Sequence, residues 1–215
     1  MIKETKTEMP NIFNEHYEKY DAWYDNHQAA FLSEIAAIKK LLPATGQGLE
    51  IGVGTGRFAK ALNISHGIDP AEKMVVLASK RGIDVCVGKG ELLPYENESF
   101  DYVLIMIALC FVRDPVEVLK QANRVLKKNG KIIIGIVDRE SFLGKFYQKK
   151  ESVFYKEARF FSVPELRELL KTAGFDNPHY FQTIFRLLED ITVEEEPQEG
   201  FGKGGFVVVG ADKPF

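Results

Sequence analysis

Leu49-Glu50-Ile51-Gly52-Val53-Gly54-Thr55-Gly56-Arg57-Phe58 runs from an apolar strand into three glycines at alternate positions, then into a helix beginning near Arg57. Glycines there let the backbone turn tightly and approach a ligand where a Cβ would collide. The plainer reading is a bare strand-to-helix turn, and the rest of the chain decides between the two. Apolar runs of strand length recur at Gly48–Val53, Ser65–Asp69, Ile83–Val87, Phe100–Ala108 and Lys131–Val137, alternating with segments of helical period. The continuous runs Phe100–Ala108 and Lys131–Val137 suit central parallel strands buried on both faces. Strand alternating with helix implies a doubly wound α/β sheet with right-handed crossovers.

The helices carry their own end signals. Asp114-Pro115-Val116-Glu117 supplies an N-cap acid, Pro at the first helical position and Glu at the third. Val118, Leu119, Ala122, Val125 and Leu126 form one apolar face, and Asn129-Gly130 is expected to close that helix. Ser162-x-x-Glu165 is a capping box heading Leu166, Leu169, Leu170 and Ala173, with Gly174 at the end. Residues 11–42 read as two helical pieces ahead of the first strand. His179–Phe185 and Phe206–Ala211 read as two more strands, able to pair as an antiparallel hairpin at one sheet edge. The expectation is seven strands, mostly parallel, in one domain over 1–215. Its parts are an N-terminal helical cap at 11–42, a core at 45–138, an insertion at 139–161, and a C-terminal helix with edge strands at 162–215.

The 28 Lys and Arg against 31 Asp and Glu leave a net charge of −3, so nothing draws the chain as a whole to nucleic acid. An apolar share of 45% excludes disorder. Cys86 and Cys110 make neither a disulfide framework nor a four-ligand zinc site, and no metal is expected. The longest apolar run, Val103–Val112, falls well short of the ~20 residues needed to cross a bilayer. MIKETKTEMP lacks the apolar centre of a signal peptide. These features lead us to expect a reduced, cytoplasmic protein without stable membrane insertion.

The glycine spacing is G-x-G-x-G, with Arg57 where a dinucleotide fingerprint wants its last glycine. No Gly-Lys-Ser/Thr follows, so a Walker turn is absent as well. An adenosine-like ligand without pyrophosphate fits this spacing. Asp69 supports it: at the end of the second strand, its carboxylate can accept hydrogen bonds from both ribose hydroxyls. The plainer reading of Asp69-Pro70 is a helix cap. LEIGVGTGRF, GIDPAEKM, LLPYENESFDYVLI, ANRVLKKNGKIII and FFSVPELRELLKTAGF stand in the order and spacing of the class I S-adenosylmethionine-dependent methyltransferases. The chain most resembles the type 11 branch that includes the ubiquinone and menaquinone biosynthesis methyltransferases, over residues 45–175.

That resemblance implies a Rossmann-like fold, S-adenosylmethionine as donor, and a small-molecule acceptor methylated at O, N or C. By position, Gly52, Gly54 and Gly56 would line the methionine part of the cofactor, and Glu50 would hold its ammonium, directly or through water. Asp69 would bind the ribose, Pro70 and Met74 would lie against adenine, and Ile107 and Ala108 would face the sulfonium. Lys89 departs from the pattern: relatives commonly carry an acid there for the adenine amino group, and lysine cannot accept that hydrogen bond. Adenine must then be held by backbone near Gly90, by Glu91, or less tightly. The rival reading is a cofactor-binding module without catalysis, acting as a sensor or partner subunit. A nicotinamide-dependent oxidoreductase is disfavoured by Arg57 and by the lack of a substrate domain.

Methyl transfer from a sulfonium needs alignment and exclusion of water more than a dedicated base, so it leaves little trace in sequence. Asp138, ending the fifth strand, and His16, in the N-terminal helices, are the candidates; a turn acid and a solvated histidine are the plainer readings. Cys110 reads as a small buried hydrophobe. Neither Pro-Cys nor Asn/Asp-Pro-Pro-Tyr/Phe occurs at the fourth strand, which argues against nucleobases in DNA. Phe13, Tyr17, Tyr20 and Tyr24 share helical spacing, as a packing face or as an aromatic lid over the methionine end, with Tyr20 foremost. Segment 139–161 holds seven aromatics and six bases against three acids. It suits a substrate cap whose aromatics favour an apolar or planar acceptor and whose bases favour an anionic one; a nucleic-acid or membrane-surface patch is the rival. Glu189–Glu199, with six acids and no base, reads as a solvated hairpin loop.

Overall fold

The computed structural model describes residues 9–214. Three helices, α1 (Met9–Glu15), α2 (Tyr17–Asn26) and α3 (Gln28–Lys39), precede the first strand, rather than the two expected pieces. His16 and His27 leave helical geometry at the joints, yet the hydrogen bonds from Tyr20 N to His16 O and from Phe31 N to His27 O run on through them. The chain therefore bends without giving up its ladder, which periodicity alone does not show. Then follow β1 (Gly48–Ile51), α4 (Arg57–Leu62), β2 (His66–Asp69), α5 (Glu72–Lys80), β3 (Asp84–Val87), β4 (Phe100–Met106), α6 (Pro115–Val125) and β5 (Leu126–Val137). The chain ends with α7 (Phe142–Lys149), α8 (Val163–Thr172), β6 (Asp176–Thr183), β7 (Gln198–Glu199) and β8 (Phe206–Asp212).

The strands form one sheet in the order β3-β2-β1-β4-β5-β8-β6-β7. The first five are parallel, and β8 runs antiparallel between β5 and β6. The expected hairpin of β6 with β8 is thus present at the sheet edge. The sheet has eight strands rather than seven, because two residues of the acidic loop, Gln198 and Glu199, pair with Gln182 and Phe181. A two-residue strand has no periodicity to read.

Alternation along the buried strands divides the core into two layers. Val103, Ile105, Ile132, Ile134, Val207 and Val209 pack with α6 and α8 on one face. Tyr102, Leu104, Met106, Ile133, Phe206 and Val208 pack with α3, α4 and α7 on the other. Asn129-Gly130 does not close α6; the helix ends at Val125 and β5 begins at Leu126. Leu126 pairs with Phe100 and Lys131 with Tyr102, so the residues between form an irregularity in the strand, with Asn129 at φ +61°. Strand pairing to Phe100 overrides the local stop signal.

Segment 139–161 is a closed excursion, since Arg139 N donates to Phe161 O at 3.0 Å. Arg139 also pairs with Glu165 at 2.7 Å, tying its base to α8. The α8 capping box is complete: Ser162 Oγ accepts from Glu165 N and Glu165 Oε2 accepts from Ser162 N. Ser162→Ala should cost about 1 kcal/mol of stability. In a chain of this length that lowers Tm by about 2–4 °C, measurable by scanning calorimetry. No helix among the described residues is long and apolar enough to cross a membrane.

Candidate active site

The strand order reverses between β1 and β4, so a crevice opens at their carboxyl ends. A cavity of about 420 Å³ occupies it. Ten of the twelve expected cofactor residues line it: Tyr20, Gly52, Gly54, Asp69, Pro70, Met74, Gly90, Glu91, Ile107 and Ala108. Glu50 and Gly56 are not in its lining.

The three turn glycines have different reasons to be glycine. All lie at positive φ, +73°, +53° and +81°. A Cβ on Gly52 would come within 2.4 Å of Ala108 Cβ, and one on Gly56 within 3.0 Å of Ala78. At Gly54 the nearest atom is Cε1 of Tyr20, at 3.6 Å. Gly52 and Gly56 therefore serve packing, and Gly54 is the one that leaves room in the cavity.

Asp69 is 9% exposed and faces the same space. Its Oδ2 accepts from Gly54 N at 2.9 Å and its Oδ1 from Ala71 N at 2.8 Å. The helix-cap and ligand readings are thus both satisfied by one carboxylate, because each oxygen keeps a second lone pair. Burial pushes its pKa up to about 6, against the pull of the two N–H donors. Glu50 is 1% exposed, and its Oε2 has no hydrogen-bond partner. Burial raises its pKa well above the usual carboxylate range, and the neighbouring Asp69 adds to this. A buried carboxylate with one oxygen unpartnered, behind the glycine turn, suits a ligand's cationic group.

Lys89 is exposed and lines the cavity beside Gly90. Glu91 Oε1 accepts from Arg113 N and Asp114 N at 3.0 and 3.3 Å, so this carboxylate is already engaged at the head of α6. At the end of β4, Ile107 sits at φ +51°, an unfavourable conformation for a β-branched residue. Ile107 N donates to Gly135 O at 2.9 Å, which holds that turn in the cavity wall.

The N-terminal helices close the crevice. Phe13 contacts Phe111 at 5.1 Å and Phe154 at 5.6 Å, while Tyr20 meets Phe154 at 6.0 Å. Helix α2 is anchored by Asp21, which binds Arg57 at 2.7 Å and Arg81 at 2.8 Å; these pairs hold its carboxyl down to about 2 despite burial. Arg57, the residue that excludes a dinucleotide fingerprint, thus has a second task. Tyr17, at the first position of α2, leaves the aromatic face expected of it and lies under Lys73, 5.2 Å away.

The insertion contributes Phe154, Glu157 and Arg159 to this closure, and Arg159 N donates to Cys110 O at 2.9 Å. A second, enclosed cavity of about 20 Å³ lies among Ile107, Cys110, Gly135, Tyr155, Phe160 and Phe161. Of the insertion's bases, Arg159 lines the main cavity, where Lys89 and Arg113 also stand; Lys145, Lys149, Lys150 and Lys156 are exposed, and Arg139 is paired with Glu140 and Glu165. Burial raises the Cys110 thiol to about 12, in keeping with an unreactive, small apolar group.

Neither catalytic candidate lines the main cavity. Asp138 is 4% exposed, and its carboxylate accepts from Glu140 N at 3.2 Å, which makes it a turn acid. His16 lies at the α1–α2 joint, edge-on to Phe154 at 6.0 Å. Sequence reasoning passed over Phe111 and Glu34. Phe111 sits in a single 3-10 turn after β4, and Glu34 is one acid in an otherwise apolar helix, so neither belongs to a motif.

Comparison with known proteins agrees with this geometry. The methyltransferase-domain family matches residues 49–134. A solved structure of an S-adenosylmethionine-dependent methyltransferase, possible histamine N-methyltransferase, from Thermotoga maritima is 50% identical, with a TM-score of 0.93. It covers 95% of this chain and 99% of its own. An uncharacterized protein of Methanocaldococcus jannaschii is 49% identical over 205 residues, covering 94% of this chain and 99% of its own. The demethylmenaquinone methyltransferase of Staphylococcus aureus is 27% identical over 213 residues, covering 81% of this chain and 88% of its own.

Proposed function

This chain belongs to the S-adenosylmethionine-dependent methyltransferases, and from that premise we propose that its acceptor is a small molecule methylated on an amine nitrogen. The observation that supports the amine is that the interior's ionisable side chains are all acids. Among the described residues the buried Asp, Glu, Lys, Arg and His side chains are all acids: Glu34, Glu50, Asp69, Asp138 and Glu195. Asp69 and Glu50 act on the Tyr20 hydroxyl, and Glu34 and Glu50 on that of Tyr24. Aromatic faces attract a cation, and Asp69, ionised at pH 7, adds a negative charge beside them, while Lys89, Arg113 and Arg159 also line the cavity. The designation of the Thermotoga maritima relative names an amine for that protein and points the same way.

The residues fit the donor. Gly54 leaves the space, Asp69 keeps a free lone pair on each oxygen for the ribose hydroxyls, and Glu50 carries the unpartnered oxygen for the ammonium. Gly52 and Gly56 shape the turn, Pro70 and Met74 face the base, and the Gly90 backbone takes the place of the acid replaced by Lys89. Bound there, S-adenosylmethionine supplies a methyl group on a positively charged sulfur. Tyr20, Phe13 and Phe154 exclude water, and Ile107 and Ala108 form the wall at the reacting end, so alignment provides much of the rate.

The test incubates the enzyme with methyl-labelled S-adenosylmethionine and histamine or tyramine, beside tyrosol and 4-hydroxyphenylacetate as alcohol and carboxylate counterparts. Label is expected on the amines. Transfer to the alcohol or the carboxylate alone, or to none of the four, would overturn the amine reading.

A further inference from the structure

One base of the insertion, Arg159, stands in the cavity wall with no task so far. Its backbone N donates to Cys110 O at 2.9 Å, which fixes the main chain against the turn that follows Ile107 and Ala108. Its guanidinium lies over the ring of the buried Phe161, 4.9 Å from the centroid. Stacking of this kind orients the planar fork and leaves its N–H edge for a ligand. Among the described residues Arg159 has no carboxylate within ion-pair distance, whereas Arg57, Arg81, Arg139 and Arg186 are all paired.

The other two bases of the cavity belong elsewhere. Lys89 adjoins Gly90, and Arg113 N donates to Glu91 Oε1, so both stand at the end assigned to adenine. Arg159 is joined instead to Cys110, beside the wall assigned to the reacting end. Glu157, two residues earlier, also lines the cavity, and it forms no ion pair with Arg159 or with any other described base. The insertion therefore offers the site one carboxylate and one guanidinium that do not neutralise each other. Arg159 borders an open groove with Phe161, Pro164 and Leu169 as well, so its charge lies at the cavity mouth. An anion bound there keeps part of its water and escapes the full cost of burial.

We propose that Arg159 selects acceptors that carry an oxyanion, a carboxylate or a phosphate, in addition to the amine, so that the substrate class is a small zwitterion. This rests on the amine reading above. Carboxylate and phosphate both accept two parallel N–H bonds from a guanidinium. The aromatic faces and Asp69 hold the ammonium end, and Arg159 holds the oxyanion at the mouth. Two attachments fix the line along which the nitrogen approaches the methyl group better than one does. Acids and bases then share one cavity because each charge of the acceptor meets its opposite. A bare amine leaves the guanidinium to water, so it binds more weakly and still reacts.

The experiment measures kcat and KM of the whole protein for three pairs: histamine with histidine, tyramine with tyrosine, and ethanolamine with phosphoethanolamine. Each pair shares its amine and differs in the oxyanion. In at least one pair, wild type should favour the zwitterion by ~10-fold or more in kcat/KM, through a lower KM, as for one partly solvated charge-assisted contact. Whether that pair carries a carboxylate or a phosphate identifies the oxyanion. Raising salt from ~50 to ~500 mM should erode the preference, because a charge at the mouth is screened. Thermal melts and S-adenosylmethionine titration first show each variant folded. Arg159→Gln should bring the two members of the pair within about threefold of each other, by raising KM for the zwitterion. Arg159→Lys, which keeps the charge and loses the fork, should fall between. An equal fall for both members, with their ratio retained, would mark a structural role and overturn the proposal. So would a wild type that treats the members of every pair alike, or a ratio that collapses in Lys89→Gln and not in Arg159→Gln. Those results leave the amine reading intact, whereas no methyl transfer to any of the six compounds would overturn both.

Discussion

Gly54→Val should give a folded protein that no longer binds S-adenosylmethionine. The added Cβ finds no clash in the protein itself, since its nearest neighbour is the Tyr20 ring at 3.6 Å. Gly54 and Tyr20 both line the cavity, so the two methyl groups of valine would occupy ligand volume. Gly54 is at φ +53°, where a side chain costs about 1–2 kcal/mol. That is a fraction of the 5–15 kcal/mol that holds a typical domain together. Calorimetric titration should therefore show at least ~100-fold weaker binding, about 2.7 kcal/mol, with a cooperative thermal transition preserved. Affinity within a few-fold of wild type would mean that the glycine turn is not the binding site. Gly52→Val makes the contrast: a Cβ there runs into Ala108 at 2.4 Å, so that variant should lose stability as well.

Asp69→Ala should weaken S-adenosylmethionine binding by about 1.5–3 kcal/mol, the range for hydrogen bonds to a charged group, which is ~10–150-fold in Kd. The same residue sets a pH dependence. Burial pushes its carboxyl up to about 6 in the folded protein, above the ordinary aspartate range. Above pH 6 it is ionised and accepts from both ribose hydroxyls; below, a proton occupies one acceptor site. Affinity should fall about tenfold between pH 7.5 and 5, and this slope should vanish in Asp69→Ala. The fold responds in the opposite sense. A carboxyl whose folded pKa is raised favours the folded state below its unfolded pKa and loses that contribution as pH rises through 6. Acid that weakens binding through Asp69 does not unfold the protein through Asp69, so thermal melts and titrations at pH 5 separate the two. A Kd unchanged in Asp69→Ala would mean that another group holds the ribose.

The glycine turn, Asp69 and the strand–helix alternation were legible because each is a local pattern with one physical cause. Apolar runs name buried strands, Ser162 and Glu165 name a helix start, and alternate glycines name a turn without Cβ atoms. Even the bounds of the insertion could be read, and Arg139 and Phe161 meet at its base. Other features depend on partners distant in sequence. Asn129-Gly130 looks like a helix stop until Leu126 pairs with Phe100. Tyr17 belongs with Tyr20 and Tyr24 by spacing, yet in α2 it packs under Lys73 of α5. Of the bases of 139–161, only packing shows that Arg159 lines the cavity while Arg139 is paired at the surface.

By itself, then, the sequence determined the fold class and the donor and named ten residues that line the main cavity, since these follow from backbone geometry and from residues close together along the chain. Only the tertiary structure decided which side chains face the reaction. It placed Asp138 in a turn, left open space at Gly54 alone of the three turn glycines, and buried Glu34 with one carboxylate oxygen unpartnered. Burial is the physical reason. Whether a carboxylate is a solvated surface charge or an unpartnered group in the interior depends on what packs around it, and that packing comes from residues far apart in the chain.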